Sequence, residues 1–298
     1  MDAWIPITLA AAFFQNLRSA LQKHLQAGLT TFGSAYARFV FAAPFATLYC
    51  LSLGWFHGHL PTLNWSFASW AALGGVMQIL ATILLIAAFR HRSFAVATAY
   101  SKTETAQVAL VGLVLIGDTL TVPALIGIAV SVVGVMMMAG ARAEGLRLRD
   151  LIRDRAALLG VASGSCFAIS AVGYRAGALA LSEPSAWLAA AVTLACVTWF
   201  QTFSMGAWLA VMRPGTVAAV LGAWRKTLPV GMAGMLASAG WFTAMTFESA
   251  AHVRALGQIE LVFTFLVSVL WFKEKALPIE ILGTALIVGG ILVLILGG

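Results

Sequence analysis

Charged residues are scarce in this chain. Only 10% of its 298 residues are Asp, Glu, Lys or Arg, whereas 61% are apolar, and the mean hydropathy is +0.94. A folded protein with so few polar groups cannot cover its own surface in water, so a soluble globular protein is excluded. The composition predicts a polytopic membrane protein.

Cysteine is also rare. Cys50, Cys166 and Cys196 all fall inside long apolar runs, and they have neither the spacing of a metal site nor that of a disulfide framework. We interpret them as small apolar packing residues.

Enzyme signatures are absent from the sequence. It contains no His-Glu-x-x-His zinc pattern, no Gly-x-x-x-x-Gly-Lys phosphate loop and no Gly-x-Ser-x-Gly elbow. His57 and His59 offer two imidazoles in a loop, which are too few ligands for a metal site. We therefore expect a protein that is not an enzyme and that uses no cofactor and no metal.

The chain has long apolar runs instead. A helix needs about 20 apolar residues to cross about 30 Å of hydrocarbon. Runs of that kind lie at residues 3–22, 32–53, 66–89, 94–116, 122–140, 156–179, 185–211, 228–248, 252–272 and 279–297. Because the runs are continuous rather than alternating, they indicate helices and not a transmembrane β-barrel. We predict ten transmembrane helices, with a kink at Pro44.

The second half of the chain repeats the first. A shift of 156 residues places Glu104 on Glu260 and Asp118 on Glu274. The same shift superposes identical residues at Ala95, Ala99, Leu110, Val111, Gly127, Ala129, Val132 and Gly134. Matched acids in otherwise uncharged helices rarely arise by chance. We predict a first five-helix repeat at residues 1–141, a basic linker at 142–154 and a second five-helix repeat at 155–298.

The basic residues lie in alternate loops, which accounts for the net charge of +7 without a nucleic-acid partner. One side carries Lys23, Arg90, Arg92, Arg142, Arg147, Arg149, Arg153, Arg155, Arg213, Arg225, Lys226, Lys273 and Lys275, and the other carries Arg175 and Arg254. The positive-inside rule makes the basic side cytoplasmic and places both termini outside the cytoplasm. Because each repeat has an odd number of spans, the two repeats should be inverted, and equivalent loops do carry opposite charge bias.

Two segments carry a family resemblance. Residues 260–274, Glu-Leu-Val-Phe-Thr-Phe-Leu-Val-Ser-Val-Leu-Trp-Phe-Lys-Glu, together with 281–290, resemble the closing signature of EamA-type members of the drug/metabolite transporter superfamily. The segment from Glu104 to Asp118, followed by Gly127 and Gly134, resembles its first-half counterpart. Thr105 and Leu261 stand where the family usually has proline, and the first spans lack its common Trp-Gly pair.

This resemblance implies a fold and a role. The fold would be two inverted five-helix repeats, all α-helical. The role would be that of a metabolite transporter, most often an exporter, with a central cavity lined by the first, third and fourth helices of each repeat. The departures from the family pattern leave the substrate open.

The two repeated glutamates are the leading candidates for a site. An ionised carboxylate in the middle of a bilayer costs about 2.5–3.5 kcal/mol, so it normally faces a wet cavity or a charged partner. Glu104 and Glu260 would therefore couple transport to protons, bind a substrate ammonium, or pair with a basic residue on another helix and lock the repeats together.

Helical spacing selects companions for Glu104. Tyr100, Glu104 and Gln107 lie at i, i+4 and i+7 and share one face. Lys102 points elsewhere, either to lipid headgroups by snorkelling or into the cavity. We expect Arg38 to snorkel towards the basic face of the membrane.

Polar residues on other spans complete the candidate site. Gln15, Arg18 and Gln22 form a stripe on the first span, and Arg18 would pair with Glu104 or hold a substrate carboxylate. Tyr174 is a candidate repeat counterpart of Gln22. Gln78 and Trp241 are candidate wall residues.

We predict a secondary transporter, active or facilitative, that exports a small metabolite such as an amino acid by alternating access. It would be a multi-pass protein of the cell inner (plasma) membrane, in contact with lipids, a monomer or a homodimer, with protons as a candidate coupling ion. One alternative is a lipid or lipid-linked sugar flippase, which predicts a lateral opening. Another is a non-transporting scaffold or assembly subunit, which predicts salt-bridged glutamates and a dry interior.

Overall fold

A computed structural model describes residues 3–25, 28–91, 100–118, 120–141, 155–270 and 277–297. Helices account for nearly all of these residues, and no strand occurs among them. The predicted all-helical class is therefore confirmed. The predicted linker at 142–154, the repeat acid Glu274 and the basic residues Arg92, Lys273 and Lys275 lie outside the described residues.

Most of the described helices overlap the predicted runs. The first part of the chain forms α1 (Trp4–Leu25), α2 (Thr31–Val40), α3 (Ala42–His57), α4 (Trp65–Ala88), α5 (Glu104–Ile116) and α6 (Val122–Ala141). The second part forms α7 (Arg155–Ala180), α8 (Ala186–Met212), α9 (Thr216–Gly222), α10 (Trp224–Phe247), α11 (Ala250–Leu256), α12 (Ile259–Leu270) and α13 (Pro278–Gly297).

Several of these helices are suited to a membrane. Among the described residues, six helical stretches are long and apolar enough to cross one, namely α2 with α3, then α4, α7, α8, α10 and α13. Helices α5 and α6 are shorter apolar helices. The predicted kink is a break at Phe41, between α2 and α3, so that Pro44 falls in the first turn of α3, where its missing N–H costs no helical hydrogen bond.

The distribution of side chains is inside out relative to a soluble protein. Leu110, Val114 and Phe203 are exposed on the outer surface, whereas Arg18 and Glu104 are buried. Lipid tails solvate apolar side chains, and ionisable groups in a membrane turn towards the interior of the bundle. This arrangement fits a multi-pass membrane protein.

Helices α4 and α7, one from each half of the chain, pack closely because they meet at glycines. The backbone of Gly173 lies against that of Gly74, and Gly177 lies against Trp70. At the end of this contact the side chain of Asn64 caps α4 by accepting from Phe67 N at 2.8 Å, and it donates to the carbonyl of Ala180 at 2.6 Å. Small residues at a crossing let two backbones approach where lipid provides no hydrophobic drive.

Helices α6 and α13 meet in a reciprocal way. Gly127 lies against the backbone of Gly290, and Gly134 lies against that of Gly283. A shift of 156 residues converts one of these contacts into the other. Between them, the Ser131 hydroxyl lies 3.5 Å from the carbonyl of Ile287, which is its own counterpart under that shift.

The two neighbouring glycines of α13 should respond differently to substitution. A Cβ on Gly290 would overlap Ser131 and the carbonyl of Gly127, whereas a Cβ on Gly289 would meet open space. We expect Gly290→Ala to lower the free energy of unfolding by about 1–3 kcal/mol, the usual cost of overpacking. Gly289→Ala is the matched control and should leave it unchanged. Thermal unfolding in detergent measures both, and equal melting temperatures would contradict the reciprocal crossing.

Two loops of different halves meet at the end of the bundle that has few basic residues. His59 Nε2 lies 2.9 Å from Glu183 Oε2, and Glu183 Oε1 accepts from the backbone N–H of Ser185 at 3.0 Å. The hydrogen bond to Glu183 raises the pKa of His59 above its usual value of about 6.5. The hydrogen bond from the Ser185 N–H lowers the pKa of Glu183, and the hydrogen bond with His59 lowers it further.

The pKa of His59 should depend on this contact. Because protonation of His59 is favoured in the folded state, the contact stabilises the fold below pH 6.5, and the contribution is lost as the pH rises through the raised pKa. We expect Glu183→Gln to return the pKa of His59 towards 6.5, as measured by NMR titration of the imidazole. Glu248→Gln, at another acid, serves as the control. An unchanged His59 titration in Glu183→Gln would show that the loops do not meet in solution.

Candidate functional site

Two interrupted helices carry the repeated glutamates. A turn at Lys102 and Thr103 precedes Glu104, and a turn at residues 257–258 precedes Glu260. Each glutamate therefore lies in the first turn of the helix that follows the break, α5 in one half and α12 in the other. The N-terminal end of a helix carries partial positive charge, which stabilises a carboxylate at that position.

Each glutamate forms an ion pair with a cation from the opposite half of the chain. Arg254, in the last turn of α11, places Nε 3.0 Å from Glu104 Oε1, and Lys102 Nζ contacts Glu260 Oε1. All four side chains are buried. The Arg254 N–H is not directed at the Glu104 oxygen, so that contact is an ion pair without an aligned hydrogen bond. Each interrupted helix thus neutralises the acid of the other.

Both ion pairs border one cavity. It is a small cavity of about 30 Å³, and it is lined by Gln15, Arg18, Ser19, Leu85, Ser101, Lys102, Glu104, Phe167, Arg254 and Glu260. Gln15 donates to Glu260 Oε2 at 3.5 Å. The lining comes from α1, α4 and the interrupted helix of the first half, and from α7 and the interrupted helix of the second. These are five of the six helices that the family resemblance implies.

Five predicted site residues line this cavity: Gln15, Arg18, Lys102, Glu104 and Glu260. Trp241, on α10, does not line the cavity but contacts a residue that does. The guanidinium of Arg254 lies 4.5 Å from the centre of the Trp241 ring.

The other predicted site residues have partners elsewhere. Gln22 donates to the carbonyl of Ser34 at 3.1 Å and ties α1 to α2. Gln107 donates to Thr103 Oγ1 on its own helix at 3.3 Å. Tyr100 packs between Ala157 and Met136.

Gln78 and Tyr174 belong to a separate buried cluster. The Tyr174 hydroxyl donates to Gln78 Oε1 at 3.0 Å, and Gln201 Nε2 donates to the same oxygen at 2.9 Å. Tyr174 also stacks on Phe242, with ring centres 4.3 Å apart. This cluster joins α4, α7 and α8. Gln201 was not predicted, although a glutamine in an apolar run is the same signal that selected Gln78.

Two cations, Arg254 and Arg38, differ from their predicted places. Arg254 was expected in a loop, but the cap of α11 at Ser249 puts it in the second turn of a helix, where it reaches Glu104. Of the two positions left open for Lys102, headgroup or cavity, the structure has the cavity, where Lys102 is buried against Glu260.

Arg38 is buried as well and donates to Thr82 Oγ1 at 2.9 Å. Arg38 lies in the last turn of α2, and the short helix α9 packs against the first turn of α2, with Val220 against Gly33. The predicted apolar runs include no helix at α9.

A second group of charges lies at the far end of α5. Arg175 Nη1 donates to the carbonyls of Met245 and Glu248, at 2.6 and 2.5 Å, and Arg175 Nε lies 3.3 Å from Asp118 Oδ2. Glu104 is the first residue of α5, and Asp118 lies just beyond its last turn. About 20 Å of helix therefore separates this group from the cavity. The group links the ends of α5, α7 and α10 on the side with few basic residues.

Comparisons with known proteins bear on the family and the fold. The family model described as "EamA-like transporter family" matches residues 154–296, which are just under half of the chain and run from α7 into the last turn of α13. One solved crystal structure of a protein superposes with a TM-score of 0.69 at 17% identity, covering 99% of this chain and 96% of the other. At that identity it shows a shared fold. No curated protein matches the sequence.

Buried acids on interrupted helices around a cavity, inside a bundle of apolar helices, are characteristic of membrane transporters. The second half of the chain matches the model of the EamA-like transporter family, part of the drug/metabolite transporter superfamily, in agreement with the sequence resemblance. This match and the apolar helices indicate a multi-pass membrane protein with a general transporter role, and EamA family transporters are generally not enzymes.

The exchanged ion pairs should be strongly coupled. Glu104→Gln leaves Arg254 buried without its counter-charge, and Arg254→Gln does the same to Glu104. We expect each single variant to lose about 3–5 kcal/mol of stability, and the double variant to lose clearly less than the sum. Reversible unfolding in mixed micelles measures the coupling. A parallel cycle of Glu104 with the exposed Arg225 should be additive, and additivity in both cycles would refute the pairing.

Proposed function

We propose that the protein is a secondary transporter that exports a small metabolite, such as an amino acid, by alternating access around the cavity between its halves. The observation that carries this proposal is that Glu104 and Glu260 border the same cavity from the two interrupted helices. Discontinuous helices at corresponding positions of two repeats are where transporters build their midplane sites.

The moving parts in this proposal are two inverted five-helix repeats, at residues 1–141 and 155–298, joined by the linker at 142–154. The reciprocal glycine contacts of α6 and α13 support it. When two related surfaces meet about a twofold axis, contact i to j is accompanied by contact j to i, and a residue on the axis meets its own counterpart. The contact of Ser131 with Ile287 has that property.

The exchanged ion pairs would hold the two repeats in the present state. Each pair crosses from one repeat to the other, so a rocking motion must break or re-form it. Protonation of Glu104 or Glu260 would release its cation, and this would couple the motion to a proton gradient. Facilitated export needs no such step, and substrate binding alone would then separate the pairs.

The proposed orientation places the basic end of the bundle in the cytoplasm of a cell whose inner membrane contains the protein. Arg90, Arg213, Arg225 and Lys226 are exposed at that end. Loops rich in arginine and lysine stay on the cytoplasmic side during insertion. Both termini would then face away from the cytoplasm.

A structural subunit without transport activity is the second candidate function. The ion pairs of both glutamates favour it, because fixed salt bridges would lock the two halves together. The cavity beside the pairs does not favour it, since a purely structural interface needs no space at its centre. Flux measurements separate the two functions.

The test is counterflow of labelled amino acids in proteoliposomes at two pH values. We expect exchange in the wild type, and we expect Glu104→Gln or Glu260→Gln to abolish the flux or its pH dependence, because either change removes a titratable group from the cavity. Glu183→Gln, which makes the same change in an outer loop, should transport normally. If no amino acid moves, the proposed substrate is wrong. If no variant changes the exchange, the glutamates have no role in transport.

A further inference from the structure

The interior of the bundle holds more positive than negative charge. Among the described residues near the cavity, the buried cations are Arg18, Arg38, Lys102 and Arg254, and the buried acids are Glu104 and Glu260. Lys102 and Arg254 are the ion-pair partners of the two acids. Two arginines are left whose positive charge these acids do not balance.

Arg18 is the arginine that reaches the cavity. Its side chain is only 3% exposed and belongs to the cavity lining. Its Nη2 donates to the neutral Ser19 hydroxyl at 3.1 Å, and its buried Nε has no hydrogen-bond partner among the described residues. A guanidinium has five N–H donors, so most of its hydrogen-bonding capacity is available to a ligand.

Arg38 places a second positive charge beside the first. The stems of the two arginines converge on Gly234 of α10, where a Cβ would lie 3.3 Å from Arg38 Cγ and 3.4 Å from Arg18 Cδ. The hydrogen bond of Arg38 to Thr82 Oγ1 involves a neutral hydroxyl and leaves its charge uncompensated. Two neighbouring cations in a low-dielectric interior repel each other, and an anion between or beside them relieves that cost.

We infer that the cavity binds the anionic group of its substrate, a carboxylate or a phosphate, at Arg18, and that the preferred substrates carry net negative charge. The planar guanidinium fork matches both groups in geometry, and it binds them through charge-assisted hydrogen bonds. Both glutamates already have cationic partners, so a substrate ammonium would have to displace Lys102 or Arg254. This inference rests on the proposed function and narrows its substrate class.

Ligand-dependent thermal unfolding of the purified full-length chain tests the inference. The probes are succinate and inorganic phosphate as anions, succinamide as a neutral analogue and putrescine as a cation, all compared with sodium chloride at equal ionic strength. We expect succinate, phosphate or both to raise the melting temperature by at least about 3 °C, because a ligand that binds only the folded state stabilises it. Succinamide and putrescine should give no rise.

Two substitutions assign the effect to Arg18. Arg18→Gln should abolish the rise, and Arg18→Lys, which keeps the charge but loses the fork, should require about tenfold more anion for the same rise. Arg225→Gln removes an arginine from the exposed basic end and should respond as the wild type does. The response to succinate compared with that to phosphate separates a carboxylate substrate from a phosphorylated one.

The melting temperature without ligand distinguishes binding from a structural role. Because Arg18 is a buried cation that forms no ion pair with either glutamate, we expect Arg18→Gln to melt at the wild-type temperature or above it. A lower melting temperature together with an unchanged response to anions would overturn the inference, as would the absence of any anion effect in the wild type. If labelled zwitterions exchange in liposomes and the flux depends on Glu104 but not on Arg18, the anion inference fails while the transporter proposal stands.

Discussion

An ionised side chain inside a hydrocarbon layer has no bulk water to solvate it, so it persists only beside an opposite charge or a wet cavity. In this bundle two ion pairs satisfy that constraint, and each pair joins the buried acid of one half to a cation of the other half. The exchange makes the two halves depend on each other electrostatically. It also places the contacts that hold them together at the centre of the molecule, beside the cavity.

The turn that precedes α5 and the turn between α11 and α12 make this exchange geometrically possible. In one continuous helix Lys102 and Glu104 would point about 200° apart, and neither could be aimed independently. A turn between them gives each side chain its own direction and leaves the carboxylate at the start of a helix, where the backbone dipoles favour it. Close glycine contacts elsewhere, as between α6 and α13, let the surrounding helices pack tightly around a polar centre.

The sequence predicts well what is set by local pattern. Bilayer thickness fixes the length of an apolar run, so α4 at Trp65–Ala88 lies within one residue of its predicted run at 66–89. An acid in such a run is conspicuous, and for that reason Glu104 and Glu260 were found. Tyr100 was placed beside Glu104 by counting along an unbroken helix, and the turn at Lys102 invalidates that count. The pairing of Arg254 and the burial of Arg38 depend on how distant helices pack, which no local pattern encodes.

The contact between Ser131 and Ile287 has an energetic consequence for the proposed inverted repeats. If the two repeats were identical in sequence, each could adopt the conformation of the other, and the states open to the two sides of the membrane would have equal free energy. A serine facing an isoleucine on the axis breaks that degeneracy, and so does a lysine at 102 whose counterpart at 258 is glutamine. Under the proposed mechanism, the resting conformation of the molecule, and hence the side from which it is loaded, would be determined by the positions at which the two halves differ in sequence.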